Sequence, residues 1–103
     1  MSRQELVHIA LGTNLGDRKA NLDLARSLME PYVSDFTCSG IYETPPWGVT
    51  DQPAFLNQVV MGCTTVSPHC LLDALKRIEK KMGRQGTIRF GPRLIDLDIL
   101  LYG

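Results

Sequence analysis

Asp96 and Asp98 stand two residues apart in the run Leu94-Ile95-Asp96-Leu97-Asp98-Ile99-Leu100-Leu101. Strand side chains alternate between faces, so Ile95, Leu97 and Ile99 point one way and both carboxylates the other, roughly 6.5–7 Å apart at their Cα atoms. Two anions side by side repel unless a cation lies between them or one is protonated. Hard carboxylate oxygens suit a divalent ion such as Mg²⁺, which also takes phosphate oxygens from a substrate. The competing reading is an ordinary polar strand face, which the depletion of aspartate in strands weakens. Arg84, Arg89 and Arg93 precede the run, in a polar segment that also carries Gly83, Gly86 and Gly91. Three guanidiniums there could gather phosphates over the two aspartates, as phosphoryl transfer requires. Taken singly, each arginine reads equally well as a solvated surface residue.

A second constellation lies mid-chain, in Thr44-Pro45-Pro46-Trp47-Gly48-Val49-Thr50-Asp51-Gln52-Pro53. Three prolines fix φ and remove donors, so this stretch is a loop, longer than a hairpin needs. Rigid backbone groups at Thr44, Pro45 and Trp47 could read the edge of a flat heterocycle. Phe55 offers a stacking face, or else packs in the core. Asn57, two residues on and on the same strand face, offers an amide donor and acceptor, or else a strand-end hydrogen bond. His8, His69 and the turn Gly12-Thr13-Asn14-Leu15-Gly16 match no phosphate or dinucleotide fingerprint and read as structural.

The elements that must position these residues follow from periodicity. Glu5 to Leu11 reads as a strand ended by Gly12. Asp17 caps a helix over Arg18–Glu30, with Leu22, Ala25 and Leu28/Met29 as its apolar stripe and Pro31 as its end. Tyr32 to Glu43 reads as one imperfectly alternating strand, bulged near Gly40, and Phe55 to Thr64 as its partner. Ser67-Pro68 starts a helix whose apolar face is Leu71, Leu72, Leu75, Ile78 and Met82 and whose stop is Gly83. Leu94 to Leu101 is the last strand. The order β-α-β-β-α-β predicts an α+β, ferredoxin-like sandwich: a four-stranded antiparallel sheet with both helices on one face and the other face open.

The chain has 103 residues, which sets a single domain over 1–103. With 44% hydrophobic and 21% charged residues it belongs with folded globular chains. Eleven basic and eleven acidic side chains cancel, which excludes a strongly basic nucleic-acid wrapper. The balance is uneven along the chain. Residues 1–75 carry four basic and eight acidic side chains, and residues 76–103 seven basic and three acidic. A local cationic zone in a neutral chain fits a small anionic ligand, or a solvated helix face. The start, Met1-Ser2-Arg3-Gln4-Glu5, has no signal-like apolar stretch. Cys38, Cys63 and Cys70 lack CxxC spacing and read as small buried hydrophobes in a reducing compartment, so a cytoplasmic location is expected.

Three segments together resemble 6-hydroxymethyl-7,8-dihydropterin pyrophosphokinase, an enzyme family of folate biosynthesis. They are Ala10–Gly16, Tyr42–Gly48 with Asp51–Pro53 and Phe55–Asn57, and Arg89–Leu100, the last being the family's signature. The resemblance spans essentially the whole chain. It implies ATP as co-substrate, two Mg²⁺ ions held by Asp96 and Asp98, and transfer of pyrophosphate to the pterin hydroxymethyl group with release of AMP. It implies that Arg84, Arg89 and Arg93 handle phosphates and that Phe90 closes over the site. It places Phe55 against the pterin, with Asn57 and the Thr44–Trp47 backbone on its edge, and Glu79 near the nucleotide. Lys76 stands where relatives often carry Gln.

Relatives usually run about half as much chain again beyond the signature. The resemblance therefore implies that a 103-residue chain has weak or no turnover, and that bared apolar surface favours a homo-dimer through the open sheet face or an edge strand. The expected partners are small molecules, pterin and ATP, without nucleic acid or membrane. Two other classes share parts of the pattern. A different two-metal nucleotide enzyme would use the paired aspartates but has no need of a pterin slot. An RNA-binding module of the same topology would show aromatic motifs and a basic sheet face, not two carboxylates.

Overall fold

The run after Glu5 alternates between two environments. Val7, Ile9, Leu11 and Thr13 are buried, while Leu6, His8, Ala10 and Gly12 lie on the opposite face. This strand, β1 (Glu5–Thr13), is the middle of the molecule in a computed structural model that describes residues 3–45, 52–83 and 94–103. The remaining elements are α1 (Arg18–Met29), β2 (Ser34–Cys38), β3 (Tyr42–Thr44), β4 (Phe55–Thr64), α2 (Pro68–Lys81) and β5 (Asp96–Tyr102). The strands form one antiparallel sheet in the order β2-β4-β1-β5, with β3 also paired to β4.

Among the described residues five strands replace the four expected, because Tyr32–Glu43 is not one strand. It breaks into β2 and β3 around Ser39. There the Ser39 N–H donates to the Val59 carbonyl at 2.8 Å, and the Val59 N–H donates to Ser39 Oγ at 2.9 Å, so a side chain replaces a rung of the ladder. At the other end of β2, Asp35 adopts a positive φ of 57° and the register shifts between Ser34 and Thr37. Gly62 makes this close approach possible. A Cβ there would stand 2.6 Å from Val33 Cγ1 and 2.7 Å from the Ser34 carbonyl oxygen.

Both helices start as their sequences predict. Asp17 Oδ1 accepts from the Ala20 N–H at 3.1 Å, and Ser67 Oγ accepts from the Cys70 N–H at 3.3 Å, with Pro68 in the first turn. Gly83 follows α2 at φ +91°, a conformation only glycine adopts without strain. Leu22, Ala25 and Met29 of α1 and Leu71, Leu75 and Ile78 of α2 meet Val7, Ile9, Leu11, Val60, Ile95 and Leu97 in one buried cluster. Both helices therefore cover the same sheet face. Each such aliphatic side chain contributes about 1.5–3 kcal/mol on burial. Among the described residues no helix covers the opposite face, which carries the alternate residues.

Two expectations about burial are corrected. Leu72 is not part of the α2 core stripe but is 40% exposed, since one residue turns about 100° from its neighbour on a helix. Cys38 and Cys70 are exposed and only Cys63 is half-buried; all three are free thiols. Cys38 ends a strand that, among the described residues, is bonded on one side only, and Cys70 lies on the outer side of α2. Among the described residues no helix is long and apolar enough to cross a membrane.

Candidate functional site

Register decides which residues meet on the open face. Asp96 of β5 pairs with Gly12 of β1, Gly12 pairs with Asn57 of β4, and Asn57 pairs with Tyr42 of β3. Directly paired residues project from the same face. Tyr42, Asn57, Gly12 and Asp96 thus form one row across four strands. Two residues along, Asp98 pairs with Ala10, and on the other side of the row Thr44 pairs with Phe55. A cleft of about 220 Å³ lies over these rows, lined by Ala10, Leu11, Gly12, Thr44, Phe55, Asn57, Asp96 and Asp98. Residues more than 80 positions apart in sequence share one wall-to-wall depression.

The strand alternation anticipated for Asp96 and Asp98 is what the structure contains. Ile95 and Leu97 are fully buried under the helices, Asp96 is half-buried and Asp98 exposed. The alternation stops after Ile99. A register shift opposite His8 and Ile9 leaves Leu100 as an extra residue, and Leu100 and Leu101 are both exposed.

Asn57 is held in one orientation. Its Nδ2 donates to Thr44 Oγ1 at 2.8 Å and to the Tyr42 carbonyl at 3.3 Å. Oδ1 is then turned toward Gly12, where a Cβ would stand 3.4 Å from it and 3.7 Å from Phe55 Cδ1. Gly12 is accordingly the floor of the cleft, and Phe55 leans over it. From sequence Gly12 reads only as the start of a turn. Its position in the alternation marks it for the open face, but nothing local says that Asn57 and Asp96 flank it.

Glu79 is buried on α2, away from the open face. Its Oε2 accepts the Leu97 N–H at 2.7 Å, and its Oε1 lies 3.4 Å from Lys76 Nζ. Leu97 sits between the two aspartates on a strand whose outer edge is taken by no other strand among the described residues. Glu79 thus covers that edge and ties α2 to β5. Lys76, half exposed, is its ion-pair partner. Pro45 is exposed at the end of β3. Trp47, Arg84, Arg89, Phe90 and Arg93 lie outside the described residues.

A second depression, not anticipated from sequence, adjoins the first across β5. It measures about 470 Å³ and is lined by Pro68, His69, Leu72, Asp98 and Ile99. Asp98 borders both hollows. His8 is half-buried on the open face, and its buried Nδ1 finds no hydrogen-bond partner among the described residues.

Asp96 and Asp98 supply hard oxygen donors of the kind magnesium takes. Among the described residues no group of three or more His, Cys, Asp or Glu is gathered for a metal. Two neighbouring carboxylates on an open face fit an ion that keeps several waters and takes its other oxygens from substrate phosphates.

Residues 8–103 match the sequence profile of the 7,8-dihydro-6-hydroxymethylpterin-pyrophosphokinase (HPPK) family. The chain is 54% identical over 103 residues to a mitochondrial folate synthesis bifunctional protein of Pisum sativum, covering 99% of this chain and 20% of that protein. It is 43% identical over 99 residues to the 2-amino-4-hydroxy-6-hydroxymethyldihydropteridine pyrophosphokinase of Bacillus subtilis, covering 94% of this chain and 59% of that one. The fold superposes on Plasmodium falciparum HPPK-DHPS, solved with pteroate, with a TM-score of 0.70 at 18% identity, over 99% of this chain and 29% of that one. The chain spans about a fifth of the plant relative's length and three-fifths of the bacterial one's.

Proposed function

The chain belongs to the 7,8-dihydro-6-hydroxymethylpterin-pyrophosphokinase family, and from that membership and the geometry of the cleft we propose that it transfers pyrophosphate from ATP to the hydroxymethyl group of 6-hydroxymethyl-7,8-dihydropterin, releasing AMP. The observation that carries this reading is the row Asn57–Gly12–Asp96. Two strand spacings separate the backbones of β4 and β5, roughly 10 Å. That is about the reach of a fused bicyclic ring with a one-carbon arm. The ring lies on the side-chain-free floor at Gly12, under Phe55. Asn57 Oδ1, fixed by the Thr44 contact, accepts from an amino or ring N–H at the far edge. The hydroxymethyl arm then points to the acidic end of the row.

Asp96 and Asp98 would hold magnesium, two ions in our reading, and the metal supplies charge neutralisation at the phosphates. The nucleotide's base is assigned to the second depression, beyond Asp98, where Leu72 and Ile99 offer apolar surface. Glu79 serves that end indirectly, by fixing β5. Arg84, Arg89 and Arg93 are assigned to the phosphates, Phe90 to closing over the pterin, and Pro45 and Trp47 to its edge. We read the helix and sheet order as a ferredoxin-like sandwich with its second strand divided, a reading that the antiparallel sheet and the two helices on one face support. Self-association would use the end of the open face where Leu6 and Leu101 are exposed; a monomer at all concentrations in light scattering refutes it.

Calorimetric titration with the hydroxymethylpterin and a non-hydrolysable ATP analogue, with and without Mg²⁺, tests the assignment. Mg²⁺-dependent nucleotide binding that Asp96→Ala and Asp98→Ala each remove is the expected result. Unchanged binding in both variants refutes it.

A further inference from the structure

The turn between β1 and α1 does more than reverse the chain. Asn14 is fully buried. Its Nδ2 donates to Gln52 Oε1 at 2.9 Å and to the Pro53 carbonyl at 3.0 Å. Four residues later, at the start of α1, Arg18 Nη1 donates to Glu43 Oε2 at 3.0 Å and to the Ala54 carbonyl at 2.8 Å. Arg18 therefore bridges the two ends of the segment between β3 and β4, and Asn14 grips its downstream end. The turn that carries them is itself braced, since Asn21 Nδ2 donates to Thr13 Oγ1 at 3.1 Å and to the Leu15 carbonyl at 2.7 Å.

The bonded residues are immediate neighbours of the cleft. Glu43 precedes Thr44 and Ala54 precedes Phe55, and Thr44 and Phe55 are paired across β3 and β4. Thr44 in turn orients Asn57. A displacement at Glu43 or Ala54 passes to the stacking ring and to the oriented amide within one residue. We infer that Asn14 and Arg18 are positioning residues for the heterocycle end of the cleft, a two-point staple that fixes the spacing of Thr44 and Phe55 without touching the ligand. The inference rests on the pterin reading of the cleft for its consequence, but not for the staple itself.

The Arg18–Glu43 pair is partly exposed, with side chains 30% and 56% accessible, and such pairs add little to global stability. That separates a positioning role from a general structural one. The variants are Arg18→Ala, Arg18→Lys and Asn14→Ala in the full protein. Amide hydrogen exchange is read across residues 42–57. Affinities for 6-hydroxymethylpterin and for a non-hydrolysable ATP analogue with Mg²⁺ are measured on the same samples. Arg18→Ala removes both the Glu43 and the Ala54 contact; it should speed exchange across that segment by roughly tenfold or more and leave the centre of β1 unchanged. Pterin affinity should fall by a similar factor while nucleotide affinity stays within about twofold. Arg18→Lys, which keeps a donor but not the planar fork, should recover part of both. Unchanged exchange across the segment overturns the staple. So does equal weakening of both ligands in step with a fall in melting temperature, which would make these residues ordinary supports of the fold. If the wild-type protein binds no pterin, the functional reading fails, and the exchange measurement still decides the staple.

Discussion

Replacing Glu79 by alanine should cost the fold about 3 kcal/mol. The carboxylate is buried and its Oε2 takes the Leu97 N–H at 2.7 Å. Removing it leaves a buried backbone donor without its acceptor, worth about 1–3 kcal/mol, and removes a charge-assisted hydrogen bond at the upper end of the usual scale. The lysine contributes little to this sum: the Lys76 contact is 3.4 Å and half exposed, so the ion pair itself is worth under about 1 kcal/mol. For a domain of this size 1 kcal/mol moves the melting temperature by roughly 4–8 °C, giving a fall of about 12–24 °C. Glu79→Gln keeps an oxygen facing Leu97 and should lose about half as much. Thermal and urea unfolding of the two variants and of Lys76→Met measure these terms directly. A Glu79→Ala protein within about 0.5 kcal/mol of wild type would show that Glu79 does not hold β5, and a Glu79→Gln protein of full stability but lost nucleotide affinity would return the residue to direct ligand contact.

Asp96→Asn and Asp98→Asn should leave the melting temperature within a few degrees while abolishing Mg²⁺-dependent nucleotide binding by calorimetry, since both side chains face the open cleft. Gly12→Val should fold, because its nearest neighbours are side-chain atoms at 3.4 and 3.7 Å, yet lower pterin affinity at least about tenfold in a fluorescence titration by filling the floor; unaltered affinity would move the ring elsewhere. Gly62→Ala places a methyl 2.6 Å from Val33 Cγ1 and 2.7 Å from a backbone oxygen, so it should destabilise by about 1–3 kcal/mol or more in urea unfolding. Ser67→Ala should cost about 1 kcal/mol in the same assay through the lost cap.

Much of the architecture was legible from local pattern. The Asp17 and Ser67 caps, the stripes Leu22/Ala25/Met29 and Leu71/Leu75/Ile78, and the span Phe55–Thr64 coincide with the observed elements. The division of Tyr32–Glu43 was not legible, because it depends on Ser39 meeting Val59 across the sheet and on the space that Gly62 leaves for β2. The exposure of Leu72, Cys38 and Cys70 is not legible for a related reason: an apolar side chain near a stripe does not reveal whether anything packs over it.

Sequence alone determined that two carboxylates share a strand face, because side-chain alternation is a property of the strand itself. It also determined, through the combined motifs, which family the chain belongs to. Only the tertiary structure decided that Asn57 and Asp96 stand on either side of Gly12, that Asn14 and Arg18 reach partners 25 to 39 residues away, and that Glu79 accepts a backbone N–H of β5. Each of these is a question of register or of long-range packing. A one-residue slip would turn every side chain of a strand to the other face, and what fixes the register is the mutual fit of strands that the sequence lists far apart.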